Sequence, residues 1–212
     1  PDYTRGEEIF NMVTHVVGGA LGIAMLVILV VFSALKGDPW AVVSSSIYGA
    51  ALVIMFSVSS IYHGLHASVG KKVMRIIDHC DIYFLIAGTY TPILLVSIRP
   101  KYPVAAWVVF GTEWGLAALA VALNAIDMNK FKIFSMICYI GMGWGIIFVL
   151  RQTIEVMTVP GFMLLLSGGV AYTVGAVLFG LGSKVRYLHS VFHIFVVIGS
   201  LLQFFAILFY VI

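Results

Sequence analysis

Charged residues are rare in this sequence, and their rarity excludes a soluble protein. Only 10% of the 212 residues are charged, whereas 62% are hydrophobic, and the mean hydropathy is +1.09. A soluble globule of this size would have too little polar surface to cover itself. The composition therefore predicts an integral membrane protein with no separate soluble domain.

Cysteine is also scarce, which excludes two kinds of stabilising site. The two cysteines, Cys80 and Cys138, lie in or beside apolar runs and form no CxxC motif. Neither a disulfide framework nor a thiolate metal site is indicated, so we expect both to be packing residues. The net charge of +3 does not indicate a nucleic-acid partner, because the basic residues lie in short loops between apolar runs.

What the sequence does contain is long apolar runs, each long enough for a helix to cross a bilayer. A crossing needs roughly 20 apolar residues. Segments such as LGIAMLVILVVFSAL do not alternate between apolar and polar residues, as the strands of a membrane barrel would. We predict an all-α, seven-transmembrane helix bundle that forms one domain over residues 1–212. The predicted spans lie near 13–35, 42–65, 77–98, 104–125, 131–150, 160–182 and 188–211.

The positions of the twelve Lys and Arg residues predict the orientation of the bundle, because cytoplasmic loops carry an excess of positive charge. Eight lie on the side of the amino terminus and four on the other. The amino terminus is therefore predicted inside and, with seven spans, the carboxyl terminus outside. The first set is Arg5, Lys71, Lys72, Arg75, Lys130, Lys132, Lys184 and Arg186; the second is Lys36, Arg99, Lys101 and Arg151.

Three histidines and an aspartate fall at one edge of this predicted bundle. His63 ends the second run, Asp78 opens the third, and His189 and His193 open the seventh. Ionisable groups in or near hydrocarbon are costly, and they usually pair, coordinate an ion or line a cavity. His189 and His193 are four residues apart and so share one helix face, as do Ser59 and His63. We expect all of them at the cytoplasmic edge.

Three imidazoles without a cysteine are typical of a catalytic Zn²⁺ site, in which the fourth position is left open. We predict His63, His189 and His193 as the metal ligands, although imidazole also suits other transition metals. Asp78 is the candidate general base or, alternatively, a group that orients a ligand. Ser59 is a candidate donor to a ligand or to a developing oxyanion. Each histidine taken alone would more often be a snorkelling or capping group.

The sequence indicates the roles of the other polar residues less specifically. Glu8, Asn11 and His15 form a polar stripe on the first helix, for which we expect hydrogen-bonded packing rather than chemistry. His66 could replace a ligand, whereas His79 points about 100° away from Asp78 on a helix. Asp81 competes with Asp78 for the carboxylate role, and spacing does not decide between them.

Pro92 lies in the middle of the third span and predicts a kink there. Its missing N–H frees a carbonyl, which the hydroxyls of Thr89 and Thr91 could occupy. For Glu113 and Gln203, which lie in or near the fourth and seventh spans, we expect internal hydrogen bonds rather than a transport role.

Four stretches of the chain resemble the bacterial haemolysin III branch of the progestin and adipoQ receptor family. They are EEIFNMVTH (7–15), SSIYHGLHA (59–67), DHCDIYFLIAGTYTP (78–92) and HSVFHIFVVIGS (189–200). A wider grouping called CREST joins this family to alkaline ceramidases. The resemblance implies a seven-helix bacterial plasma-membrane protein with zinc bound by His63, His189 and His193, with Asp78 and Ser59 beside it. The amino-terminal extension of the eukaryotic receptors is not present in this sequence, so we do not expect an adiponectin-like ligand.

Two functional classes agree with these predictions. The first is a zinc-dependent hydrolase that acts on a membrane-lipid amide or ester at the cytoplasmic side. The second is a non-catalytic membrane sensor or homeostasis protein, in which the zinc joins the second and seventh spans. Cytolysis by pore formation, which the family name suggests, ranks lowest, because a pore requires a polar, water-lining helix that the sequence does not offer.

Overall fold

The computed structural model describes residues 3–182 and 185–212, and over these residues the chain is helical and contains no strand. Lys184, which was assigned to a cytoplasmic loop, lies outside the described residues. Seven α-helices follow in order: α1 (Arg5–Leu35), α2 (Pro39–Gly64), α3 (Val69–Pro92), α4 (Pro103–Asp127), α5 (Lys132–Gly143), α6 (Leu150–Leu181) and α7 (Leu188–Tyr210). A π-helix, Ile93–Ile98, continues α3, and a 3₁₀-helix, Gly145–Val149, joins α5 to α6.

Six helical segments of the described chain are long and apolar enough to cross a membrane. They are Arg5–Leu35, Pro39–Gly64, Val69–Ile98, Pro103–Asp127, Lys132–Leu181 and Leu188–Tyr210. Large apolar side chains such as Leu35, Val104 and Phe148 are at least three-quarters exposed. A helix surface of this kind is stable in lipid rather than in water. The chain is therefore a helical membrane protein.

Helices α1 and α3 begin well before the predicted apolar runs, because polar caps extend them. The first begins at Arg5 rather than near residue 13: the Thr4 hydroxyl accepts a hydrogen bond from the Glu7 backbone, and the Glu7 carboxylate accepts one from Thr4 N–H at 2.8 Å. This capping box pairs amide groups that a helix otherwise leaves free. The third begins at Val69 rather than near 77, with the Ser68 hydroxyl as its cap.

The segment Lys132–Leu181 was predicted as two spans and is one helical run of 50 residues, but it is not straight. Thr158 lies in the middle with φ 63° and ψ 168°, outside helical values. The indole N–H of Trp144 donates to the hydroxyl of Thr173 at 3.2 Å, across 29 residues. In a straight helix these residues would lie about 44 Å apart. The chain therefore doubles back between them.

Pro92 coincides with the change from α-helix to π-helix, as expected for a residue that removes one hydrogen bond from the ladder. The expectation for the neighbouring threonines was wrong. Thr89 donates to the carbonyl of Leu85 at 2.7 Å and Thr91 to that of Ala87 at 2.8 Å, whereas the carbonyl freed by the proline is that of Gly88. Both hydroxyls therefore bond to carbonyls one turn earlier in α3, and neither occupies the carbonyl of Gly88.

Close packing of α1 on α2 and of α6 on α7 positions the ends of the helices that carry the polar residues. A methyl group on Gly49 would lie 2.8 Å from Cα of Leu26, so these two helices approach backbone to backbone. A methyl group on Gly161 would lie 2.6 Å from the ring of Tyr210. Small residues permit such approaches in membrane helices, where dispersion rather than the hydrophobic effect holds helices together.

Candidate metal centre

Helices α2 and α7 bring three histidines into one buried cluster. His63 lies in the last turn of α2, and His189 and His193 occupy the first two turns of α7. All three are buried, and a ring nitrogen from each lies within 4.8 Å of the others. The helical spacing of four residues places His189 and His193 on one face, as expected. The cluster can hold a metal ion.

The nitrogen positions agree with a shared metal ion. Nε2 of His189 and Nε2 of His193 lie 3.1 Å apart. Zinc–nitrogen bonds are about 2.0–2.1 Å long, so two tetrahedral ligands lie roughly 3.3 Å apart. Nε2 of His63 is buried and has no hydrogen-bond partner. A buried, unpaired imidazole nitrogen is costly unless a cation or a donor meets it, and so the donor set fits a transition-metal ion.

Glu8 holds His63 from the side opposite its free nitrogen. Its Oε2 lies 2.6 Å from Nδ1 of His63, and its Oε1 accepts a hydrogen bond from Nζ of Lys71 at 2.6 Å. Because a carboxylate only accepts, Nδ1 carries the proton and Nε2 presents its lone pair. Carboxylates behind metal-binding histidines commonly fix the tautomer in this way. Glu8 is thus hydrogen-bonded, as predicted for the polar stripe of α1, and one of its partners is a member of the cluster.

Two further residues of the α1 stripe lie beside the cluster. The ring of His15 stacks on that of His193, with centroids 3.7 Å apart. Both ring nitrogens of His15, and both polar side-chain atoms of Asn11, are buried without a hydrogen-bond partner. The side chains of His15 and Asn11 therefore do not make the hydrogen bonds that the predicted packing role requires. They add unpaired polar atoms at the edge of the cluster, which a bound ligand or water molecules would satisfy.

Ser59 and Asp78 line a cavity that also contacts His189 and His193. Ser59 lies one turn before His63 on α2, and its side chain is buried. Asp78 is partly buried on α3. Asp81, the competing carboxylate, is buried but does not line this cavity. Of the two aspartates, Asp78 is therefore the one that shares this cavity with His189 and His193.

The two remaining histidines of this region lie outside the cluster. His66 is exposed and lines a surface groove. His79 lines the cavity, and its Nδ1–H donates to the backbone carbonyl of Arg75 at 2.8 Å. This bond turns Nδ1 of His79 back along its own helix, and His79 is not one of the three histidines whose ring nitrogens meet.

Tyr3 covers the cluster on its outer side. Its ring stacks on His189 at 4.7 Å and lies 5.7 Å from His63. Burial raises the pKa of the Tyr3 phenol above its usual range, with a smaller contribution from the neighbouring phenol of Tyr62. Tyr3 is therefore neutral at physiological pH. No sequence pattern singles out Tyr3, since it precedes the first apolar run.

The segment around Tyr3 is anchored to the start of α7. Oε1 of Glu7 accepts a hydrogen bond at 2.7 Å from the backbone N–H of Tyr187, which has a left-handed conformation with φ 59°. Beyond Tyr3 an open groove of about 800 Å³ lies against His63. Its walls carry four of the basic residues that were assigned to the cytoplasmic side: Arg5, Lys71, Lys72 and Arg75.

The cavity on the inner side of the cluster is apolar and elongated. It has a volume of about 150 Å³ and lies between α2, α3, α5, α6 and α7, with His15 of α1 also in its lining. His189 and His193 lie at one end of the lining of α7, and Gln203 lies at the other. Most of the remaining wall is aliphatic or aromatic, from residues such as Ile82 and Phe192. The cluster thus opens onto a chamber suited to an apolar chain.

These features define a class of protein: a helical membrane protein with a buried three-histidine cluster and an adjoining apolar cavity. Comparison with known proteins gives the family. The profile described as "Haemolysin-III related" matches residues 3–204, and the chain belongs to this family. The resemblance found in the four sequence stretches is thereby confirmed.

Individual relatives agree with this assignment. "Hemolysin-3" of Bacillus cereus is 39% identical over 97% of this chain and 92% of its own. "Hemolysin-3 homolog" of Bacillus subtilis (strain 168) is 35% identical over 98% and 96%. The human "Monocyte to macrophage differentiation factor", which fits the wider progestin and adipoQ receptor family, is 28% identical over 95% and 83%. No solved structure matches the chain significantly.

Proposed function

We propose that this haemolysin III protein binds one Zn²⁺ through His63, His189 and His193, and that it hydrolyses an amide or ester bond of a membrane lipid. The observation that carries the proposal is the position of the cluster. Three buried imidazoles, one of them held by a carboxylate, meet an apolar cavity that Ser59 and Asp78 also line. A structural zinc site would have no need of such a cavity.

Each residue has a stated role in this proposal. Bound Zn²⁺ would supply Lewis acidity, which polarises a carbonyl and lowers the pKa of a water molecule. The Asp78 carboxylate accepts a proton from the water that is consumed and returns it to the leaving amine or alcohol. The Ser59 hydroxyl donates a hydrogen bond to the carbonyl oxygen as negative charge develops on it. The apolar wall binds the acyl chain and excludes further water.

The proposal includes the topology. We infer seven spans, with the amino terminus and the histidine cluster on the cytoplasmic side of a bacterial plasma membrane. The doubling back of Lys132–Leu181 supports two crossings within that segment, and the basic groove beside His63 agrees with a cytoplasmic location. Reporter fusions should be active outside when placed after Tyr210 and inside when placed after Asp127. The opposite pattern would reverse the orientation.

Metal content is the first test. Mass spectrometry of detergent-purified protein should give one zinc per chain, lost in His63→Ala, His189→Ala and His193→Ala. His66→Ala and His79→Ala serve as matched controls and should retain the metal. Wild-type protein purified without chelator but free of metal would refute the zinc site.

Turnover is the second test. The metal-loaded protein is incubated with a panel of lipid amides and esters, and the products are measured by mass spectrometry. Asp78→Asn should retain zinc and lower turnover by about 10²–10⁴-fold, whereas Asp81→Asn should leave it close to wild type. Zinc binding without turnover on any lipid would favour the alternative function, a non-catalytic sensor in which the metal joins α2 to α7.

A further inference from the structure

The far end of the apolar cavity contains a polar atom that the proposed chemistry does not use. Gln203 lies ten residues after His193 on α7, which corresponds to about 15 Å along the helix axis. A second, smaller cavity of about 50 Å³ lies against the same residue and continues to Phe162 and Leu166. Gln203 therefore lies where the two cavities meet.

The orientation of the Gln203 amide is fixed by its neighbours. Nε2 donates to the backbone carbonyl of Leu165 at 3.1 Å. Because a carbonyl only accepts, the NH₂ group faces Leu165 and Oε1 faces away from it. A methyl group on Gly168 would lie 2.8–2.9 Å from the side chain of Gln203, so the absence of a side chain at Gly168 makes room for the amide. Oε1 is buried and has no hydrogen-bond partner.

The polar side chains around this end already have hydrogen-bond partners. The indole N–H of Trp144 donates to Thr173 at 3.2 Å, and the hydroxyl of Tyr172 lies 2.8 Å from that of Ser200. The hydroxyl of Tyr90 lies 3.1 Å from a backbone carbonyl and accepts from a backbone N–H at 2.8 Å. A buried water molecule typically needs two to four partners. With the neighbouring donors in use, the unpaired oxygen of Gln203 is better matched by a ligand group.

We propose that Gln203 is a specificity-determining residue that accepts a hydrogen bond from a hydroxyl group within the apolar chain of the bound lipid. The donor must be neutral, because no carboxylate lines either cavity near Gln203 to balance an ammonium group. The substrate class is then a lipid with a hydroxylated acyl chain, whose hydroxyl lies about 15 Å from the head group at the histidines. The position of the head group rests on the proposed function.

Binding of two acids that differ by one hydroxyl group tests the inference. Purified protein in detergent is titrated with 12-hydroxyoctadecanoic acid and with octadecanoic acid, and bound ligand is measured by native mass spectrometry. The wild type should bind the hydroxylated acid about fivefold to tenfold more tightly, the factor expected for one net hydrogen bond. Gln203→Leu should bind both acids equally. Gln152→Leu, a glutamine of α6 that lines neither cavity, should retain the preference.

A comparison within the wild type keeps the test decisive if Gln203→Leu does not fold. Moving the hydroxyl next to the carboxyl group, as in 2-hydroxyoctadecanoic acid, should abolish the gain. Equal affinity for all three acids, or an equal gain from either hydroxyl position, would overturn the proposal. The measurement needs no turnover. Failure of hydrolysis across the lipid panel would therefore refute the proposed function without deciding this inference. Loss of the hydroxyl preference would refute this inference without deciding the proposed function.

Discussion

Replacement of Glu8 by glutamine should weaken metal binding although Glu8 is not a ligand. The carboxylate lies 2.6 Å from Nδ1 of His63, and the His63 side chain is fully buried. Glutamine preserves the size of the side chain but removes the charge that raises the basicity of the imidazole. Loss of such a partner typically lowers metal affinity 10–100-fold, which corresponds to about 1.4–2.7 kcal/mol.

The assay is a competitive titration of zinc between the purified protein and a chromogenic chelator. Glu155→Gln is the matched control. That carboxylate is bonded to Lys101 and Tyr102 at the opposite end of α3 from the histidines, and its loss should change the zinc Kd by less than about twofold. An unchanged Kd in Glu8→Gln would refute the reasoning, because His63 would then be held without its carboxylate.

Lys71→Met separates the two partners of Glu8. It removes the ammonium group at 2.6 Å from Oε1 but leaves the bond to His63 in place. We expect zinc affinity to change less than in Glu8→Gln. An equal loss in both variants would mean that Glu8 acts by joining α1 to α3, rather than through the imidazole.

Three further predictions concern stability, measured by thermal unfolding in detergent. Gly49→Ala should destabilise the protein by about 1–3 kcal/mol through overpacking against Leu26, whereas Gly111→Ala, which meets no atom within 4 Å, should be neutral or stabilising by up to about 1 kcal/mol. Thr158→Gly should stabilise by about 1–3 kcal/mol, because φ 63° with ψ 168° is a region that essentially only glycine adopts without strain. Zinc at 100 times its Kd should stabilise the wild type by about 2.7 kcal/mol and leave His193→Ala unchanged.

The residues of the histidine cluster could be found from the sequence because two independent signals agree on them. Long apolar runs predict which helix ends lie at one membrane edge, and the cost of ionisable groups near hydrocarbon draws attention to His63, His189 and His193 there. Neither signal requires knowledge of how the helices pack. The same holds for the choice of helix as the secondary structure.

Contacts that depend on helix packing could not be found in this way. Glu8 contacts His63 only because α1 packs against α2 at a particular register. Close approaches between the two helices, such as that of Gly49 to Leu26, set this register. The choice between Asp78 and Asp81 likewise depends on the rotation of α3 about its axis. The two predicted spans 131–150 and 160–182 imply a turn between them, but not that Thr158 adopts a positive φ there, because threonine carries no signal for a positive φ.

His63 and His189 are 126 residues apart in the chain (189 − 63), and this separation has a consequence for biogenesis. A ribosome that has produced α1 and α2 has delivered one imidazole of the cluster, and the other two emerge only with the last helix. A single histidine cannot supply the three nitrogens that a zinc site requires. Under the proposed function, zinc can therefore bind to all three histidines only after α7 has been made, and zinc content would distinguish fully inserted chains from those whose last helix has not yet entered the membrane.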